Sequence, residues 1–317
     1  MQQYTLRPAG PDDYPRLVEI MNMTNATPVT LEEFRRRCEL RASDPRYLRL
    51  VAENGEQRIA GQGVLFHVPW RPVGTLTLNL AVDPDYRGHG VGRMLYDALE
   101  AKARDFGALT LESEVRDDRA SAREFLERRG FALKDHYFRS ELDLERFNAA
   151  PYRGVVAGLR AQGYQFITLA DVDLEEGKRR LYEVDMDTAR DEPGMNEGTE
   201  WPPISYEEYA RDMYQAPKFD PAGVFLAVWQ GQWVAVSGLH FPPGSEIAWV
   251  FYTGVRREHR GRRLAQALKL LTADYARSRG FKKIATGNHE NNPAMLTVNR
   301  KFGFQPLPGL FIMRKLL

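Results

Sequence analysis

The chain has 317 residues, 43% of them hydrophobic, and 44 basic against 43 acidic side chains give a formal net charge of +1. At about 150 residues per domain the length predicts two domains, and the apolar share excludes a largely disordered chain. The charge balance excludes a protein whose main task is coating nucleic acid or an anionic membrane, while leaving room for one local anion site.

One cysteine, Cys38, excludes an internal disulfide, a cysteine-rich zinc site and an iron–sulfur cluster. Its charged surroundings, without a histidine nearby in sequence, make it an ordinary helix residue. No stretch approaches the ~18 apolar residues of a membrane span, and the first ten residues carry Arg7 and Pro8 instead of an apolar core. The expectation is a soluble cytoplasmic protein.

In chain order, residues 4–9 read as a strand and 12–23 as a helix with an acidic first turn. Residues 47–53 and 57–67 flank an Asn54-Gly55 turn, a strong hairpin signal. Leu76, Leu78 and Leu80 alternate in a strand over 75–82. An amphipathic helix through Leu95, Leu99 and Ala103 ends at Gly107. A strand over 109–115, a helix over 120–129 stopped by Gly130, and a strand over 131–142 complete the first half. Pro151, Gly154, Gly158 and Gly163 mark a boundary over 148–163 that can hold a short helix.

The second half runs in the same order. Residues 164–169 read as a strand and 175–186 as a helix. A hairpin joins 224–229 to 233–241 through Gln230-Gly231, and 247–255 is a strand. Leu264, Leu268, Leu271 and Tyr275 line a helix that Gly280 ends. A strand starting at 284–286, a helix over 294–302 and a last strand over 311–317 follow.

This similarity is a true repeat. One constant offset lays Val82-Asp-Pro-Asp-Tyr-Arg87-Gly88 over Val255-Arg-Arg-Glu-His-Arg260-Gly261. The same offset pairs Leu95 with Leu268, Ala103 with Ala276, Gly107 with Gly280 and Gly130-Phe131 with Gly303-Phe304. The identities fall at turns and helix ends, where structure demands them. Two copies of one domain are expected, residues 1–150 and 151–317.

In the first copy the chain leaves a strand at Ala81-Val82 and enters a helix across Arg87-Gly88-His89-Gly90-Val91-Gly92. Glycines at a helix start let backbone N–H groups approach a ligand, and the positive dipole end favours phosphate. Arg87 can add a charge-assisted contact. Neither the dinucleotide glycine spacing nor a P-loop is present.

The sequence resembles the GNAT acetyltransferase superfamily, over both halves. That family's Arg/Gln-x-x-Gly-x-Gly/Ala signature is met in full by Arg87-x-x-Gly90-x-Gly92, and Leu126-Glu-Arg-Arg129-Gly130-Phe131 is similar to its helix ending in Gly-Phe. The second copy reads Arg260-x-x-Arg263-x-Ala265 and departs at the central glycine. It adds Thr286-x-Asn288-x-x-x-Asn292 and an Asn299 before Gly303-Phe304, similar to the C-terminal halves of tandem bacterial members. The resemblance implies an α+β fold of three α/β/α layers in two tandem domains, each a mixed, mostly antiparallel sheet flanked by helices.

It also implies acetyl-CoA as cofactor and direct attack of a small-molecule or peptide amine on the thioester, in a monomer or homodimer. The diphosphate would lie over Arg87, Gly88, His89, Gly90, Val91 and Gly92, with a backbone N–H near Ala81 and Val82 for the thioester carbonyl. A possible second site comprises Val255, Arg260, Gly261, Arg263, Ala265 and Asn292. Glu112 and Glu114 share one face of the strand that borders the reaction centre in this family, and are candidate bases; solvated surface glutamates are an equal reading. His67 reads as structural.

The family often places an acidic tyrosine five residues before the Gly-Phe glycine, where this chain has Phe125 and Val298. Tyr137 or Tyr252 is a substitute, or the thiolate leaves unassisted. Arg263 is expected to obstruct the second loop, so the first copy is the expected cofactor site. The tryptophans Trp201, Trp229, Trp233 and Trp249 read chiefly as packing, and residues 190–203 as a loop over the acceptor. A non-catalytic CoA-binding or regulatory module is the alternative function. A mycothiol-synthase-like enzyme ranks third, because that resemblance would put catalysis in the copy that lost its glycine.

Overall fold

The computed structural model describes residues 3–24, 28–68, 71–194, 204–214 and 218–317. Its residues cluster into two compact units, Met1–Lys134 with Phe311–Leu317, and Asp135–Leu310.

The first unit holds β1 (Thr5–Pro8), α1 (Tyr14–Asn22), α2 (Leu31–Arg41), β2 (Leu48–Glu53), β3 (Ile59–Phe66), β4 (Thr75–Val82), α3 (Val91–Asp105), β5 (Thr110–Arg116) and α4 (Ala120–Glu127). The strand β6 (Ala132–Asp143) leads into the second unit, which continues with α5 (Ala150–Ala161), β7 (Gln165–Thr168), α6 (Leu174–Ala189), α7 (Tyr206–Tyr214), β8 (Phe219–Trp229), β9 (Gln232–His240) and β10 (Ile247–Val255). Then come α8 (Leu264–Ser278), β11 (Lys283–His289), α9 (Pro293–Phe302), β12 (Gln305–Pro306) and finally β13 (Leu310–Leu316).

Within the first unit the strand order is β1-β2-β3-β4-β5-β13; within the second it is β6-β11-β10-β9-β8-β7, with β12 on β6. β4–β5 and β10–β11 pair in parallel, and the hairpins and meanders around them are antiparallel. Each unit is therefore the expected mixed sheet.

The period of two in the strands builds the layers. Leu50 and Ala52 pack with Leu95, Leu99 and Ala103 of α3. Val51 between them points the other way, into a cluster with Leu17, Ile20 and Phe34 of α1 and α2. The second unit repeats this: Ala227 joins Leu264, Leu268 and Ala276 of α8, while Leu226 and Val228 join Leu181 and Val184 of α6. Cys38 is a free, buried residue of α2, as its setting in the sequence predicts.

Two expectations shift. The compact units do not divide at residue 150: the last strand of the first repeat, β6, counts with the second unit, and the chain's final strand counts with the first. Each sheet thus takes its last strand from the other half of the sequence, a pairing that no local pattern encodes. The second shift is α7, a helix that the reading of 190–203 as a loop stops just short of; residues 195–203, including Trp201, lie outside the described residues.

Candidate active site

The first unit's site begins where its sheet opens. β4 and β5 pair only from Thr75↔Thr110 to Thr77↔Glu112, yet β4 runs on to Val82 and β5 to Arg116. Beyond Thr77 the strands part, and the β5-facing backbone of β4 leaves its ladder. Asn79 spans the gap, its Oδ1 accepting the Glu114 N–H at 3.0 Å.

From Val82 the chain turns through a short 3-10 segment, where the Asp83 carboxylate accepts the Asp85 N–H at 2.9 Å. The Arg87 Nε then donates to the Val82 carbonyl at 3.2 Å, tying the loop to the strand end. Gly88 and Gly90 take φ of 78° and 88°, the left-handed region that favours glycine. A Cβ added to either would meet nothing within 4 Å. Gly90 caps α3 with no side chain, so the first-turn N–H groups have no partner from the cap. Arg87 has no acidic partner among the described residues. Open backbone donors, a positive helix end and an unpaired arginine together fit a diphosphate such as that of coenzyme A. His89 is exposed beside them, and Val91 is buried beneath as the helix anchor.

The second unit has the same construction. β10 pairs with β11 as far as Val250↔Thr286 and continues to Val255. Arg260 Nε donates to the Val255 carbonyl at 2.9 Å, as Arg87 does to Val82. Gly261 takes φ 75°, and Arg263 takes φ 69° as cap of α8. The arginine therefore holds the same left-handed backbone shape that Gly90 takes in the first unit. Its exposed guanidinium donates to Gln266 Oε1 at 2.8 Å. The loop holds an internal anion as well. Asp191 pairs with Arg257 and, at 2.8 Å, with Arg260, and these partners hold its carboxyl down at about 2. An internal carboxylate thus occupies the loop arginine that is free in the first unit.

The two candidate bases part company. Glu112 is buried, with Arg314 Nη2 at 2.7 Å, Arg71 Nε at 3.0 Å and Lys134 Nζ at 3.3 Å. A carboxylate held by three cations is a structural centre. Glu114, two residues on and past the splay, is solvent-accessible. Desolvation by the protein packed around it, with the nearby Glu112 charge, still disfavours its charged form and raises its pKa above the usual carboxylate range. They share a face of the strand, but of the two only Glu114 reaches solvent. His67 is half-buried, and burial lowers its pKa.

Phe125 stands where the family's tyrosine would be, packed under the Arg129 guanidinium at 3.5 Å and against Tyr96. Of the substitutes named from sequence, Tyr137 packs edge-on against His289, and Tyr252 donates to Thr188 Oγ1 at 2.9 Å. Both lie in the second unit. Asn292 caps α9, accepting the Met295 N–H at 3.1 Å. Asn288 and Asn299 form a buried amide network with Ser140, which accounts for that asparagine motif structurally. Trp233 lies under Arg180, Trp249 under Arg139, and Trp229 against Tyr164 and His259; these are packing roles, as expected.

Sequence reasoning missed Asp191 and Asp185. Asp191 gives no local signal, because its partners lie far along the chain. Asp185 does: it is the charged position in the buried stripe Leu181, Val184, Asp185, Thr188 of α6.

A sheet splayed beside a helix entered through a left-handed cap, Gly90 in the first unit and Arg263 in the second, is built twice in one chain and marks an acetyltransferase of the tandem type. The acetyltransferase (GNAT) family profile matches residues 14–131 and 160–304, and the chain belongs to that family. Relatives include the mycothiol acetyltransferase of Thermobifida fusca, 25% identical over 71% of this chain and 70% of that one. That of Acidothermus cellulolyticus is 28% identical over 81% and 76%. Among solved structures, a GCN5-related N-acetyltransferase from Sphaerobacter thermophilus superposes with a TM-score of 0.74 at 20% identity, over 99% of this chain and 95% of that one. A tandem GNAT protein from the clavulanic acid biosynthesis pathway gives 0.71 at 21%, over 99% and 98%. These two likenesses concern the fold. Among the described residues, no helix is long and apolar enough to cross a membrane, and no cluster of metal-binding side chains occurs.

Proposed function

We propose that this protein is an acetyl-CoA-dependent N-acetyltransferase acting on a primary amine of a small molecule or peptide, with the cofactor loop of the first unit as its principal acetyl-CoA site. The observation that carries this is the contrast between the two loops. Arg87 and the first turn of α3 are open, whereas Arg260 is paired with Asp191.

Acetyl-CoA, when bound, supplies a thioester carbonyl for the amine to attack. Gly88, Gly90 and Gly92 let the backbone donors of 90–92 reach the diphosphate, and Arg87 adds charge. The backbone of Ala81 and Val82, released from the β5 ladder, offers an N–H to the carbonyl oxygen. Glu114 takes the proton of the attacking amine, directly or through water, and its raised pKa makes it a stronger base than an ordinary glutamate. Glu112 holds that strand in place. The second unit supplies substrate surface or a second, weaker cofactor site at Val255, Arg260, Gly261, Arg263, Ala265 and Asn292.

The relatives' name makes mycothiol chemistry the first acceptor class to try. The objection drawn from the lost glycine weakens, since Arg263 keeps the left-handed backbone. Phe125 in the tyrosine position favours a second reading, a non-catalytic CoA-binding module.

Thiol release from acetyl-CoA across an amine panel, with calorimetric titration of acetyl-CoA, decides between them. Val at position 90 puts a β-branched side chain at positive φ. We expect Gly90→Val and Arg87→Ala to weaken binding roughly tenfold or more, about 1.4 kcal/mol, and Arg260→Ala to leave the tight site intact. Loss on Arg260→Ala alone would move the cofactor site to the second unit. Binding without thiol release from any amine would favour the module.

A further inference from the structure

We propose that Asp185, together with Tyr209 and the Thr188–Tyr252 pair, forms a recognition site in the second unit for a primary ammonium group.

Asp185 is 4% exposed and sits in the buried face of α6 among Leu181, Val184 and Thr188. One of its carboxyl oxygens accepts the Tyr209 hydroxyl from α7. The other, Oδ1, is buried and has no hydrogen-bond partner among the described residues. The groups that act on its charge are the Tyr209 hydroxyl and the Glu192 carboxylate, and neither is a cation. Buried polar atoms are nearly always paired, because stripping water from them costs free energy that only a partner returns. A bare helix pin would need one oxygen and could be built from a neutral amide. An acid with one empty acceptor matches the three donors of an ammonium group.

The surroundings fit the same ligand. Tyr209 and Tyr214 on α7 and Tyr252 on β10 bring aromatic rings and hydroxyls around the acid, and Glu192 adds a second carboxylate to its field. Ring faces and acids together favour a cation. The site also lies at the opening of the sheet. Tyr252 follows the last β10–β11 pair, Val250↔Thr286, and its hydroxyl donates to Thr188, one turn beyond Asp185. The approach of α6 to β10 is so close that a Cβ on Gly254 would stand 2.2 Å from Thr188 Oγ1.

Burial lifts the Asp185 pKa to about 7, so the carboxylate that would bind an ammonium group fills in as pH passes neutrality. Glu192, also raised by burial, moves the same way. Tyr209, Tyr214 and Tyr252 are all pushed upward and stay neutral.

The inference rests on the proposed amine acceptor only for the chemical class of the ligand, and its test needs no acetyl transfer. Full-length protein is titrated calorimetrically at pH 8 with 1,4-diaminobutane and 1,5-diaminopentane, whose amines stay protonated from pH 6 to pH 8, and with 1,4-butanediol and 1,5-pentanediol as neutral counterparts. The amines bind and the neutral compounds do not; Asp185→Asn, which still accepts from Tyr209, loses roughly tenfold or more in amine affinity. Wild-type amine affinity also rises between pH 6 and pH 8, a readout independent of any variant's folding. Equal binding of amines and alcohols, an Asn variant that folds and binds amines as the wild type does, or a flat pH profile would each overturn the site. Loss of thiol release with amine binding intact sinks the enzymatic reading and leaves this site standing.

Discussion

Glu112 and Glu114 are two residues apart on one strand, and their neighbours give them opposite roles. Glu112 neutralises Arg71, Lys134 and Arg314; removing one partner from a buried ionic cluster strands the others. We expect Glu112→Gln to cost about 3 kcal/mol in urea unfolding. Glu114 has open solvent on one side and carries no such duty. Glu114→Gln should lower kcat about 10²–10⁴-fold with acetyl-CoA affinity unchanged. Because its carboxyl is raised, the acidic limb of the kcat/KM profile should lie above the ordinary glutamate range and disappear in the Gln variant.

Asp185 makes a stability prediction with a definite sign. Its carboxyl titrates at about 7 in the folded chain against 3.8 when unfolded. Between those values the folded state holds a proton that the unfolded state has lost, so stability falls as pH rises through that window. The full span is of order 4 kcal/mol at 1.36 kcal/mol per unit. Urea titrations from pH 4 to pH 8 should show this decline in the wild type and a flatter course in Asp185→Asn. An unchanged slope in the variant would assign the decline to other groups.

At the scale of elements, the repeat of strand, turn and helix was legible because its signals are local. Val82 to Gly92 and Val255 to Ala265 announce a strand end and a glycine or arginine cap, and the structure builds α3 and α8 there. Arg263 keeps the turn that Gly90 makes in the first unit: left-handed backbone costs an arginine about 1 kcal/mol, which a surrounding fold can supply. Arg263→Gly should therefore stabilise the chain slightly, by a few tenths to 1 kcal/mol in thermal unfolding. What fills the second loop is Asp191, and its contact depends on where α6 ends against the β10–α8 turn. Gly254 shows the same dependence. Nothing in its sequence setting marks it, but with Thr188 so near, Gly254→Ala should cost about 1–3 kcal/mol.

At the scale of the whole molecule, the last seven residues belong to the first unit. Met313 is fully buried in that unit's core, Arg314 holds Glu112, and Lys315 reaches Glu100 at 2.7 Å and the Tyr96 hydroxyl at 3.1 Å. A chain ending at residue 310 should lose acetyl-CoA binding in the first unit and unfold at markedly lower temperature by calorimetry. Retention of both would show that strand to be dispensable.

By itself the sequence determined the family, the duplicated fold, the order of elements and which loop keeps the full glycine signature. All of these follow from short-range causes: alternation along strands, apolar stripes along helices, and glycines where backbone must turn or lie bare. Only the tertiary structure decided where each sheet finds its last strand, which glutamate is bound up and which is open, that Asp191 pairs with Arg260, and that Asp185 keeps a carboxyl oxygen without a partner among the described residues. Those outcomes depend on groups brought together from distant parts of the chain, where burial and neighbouring charge, rather than residue type, set what a side chain can do.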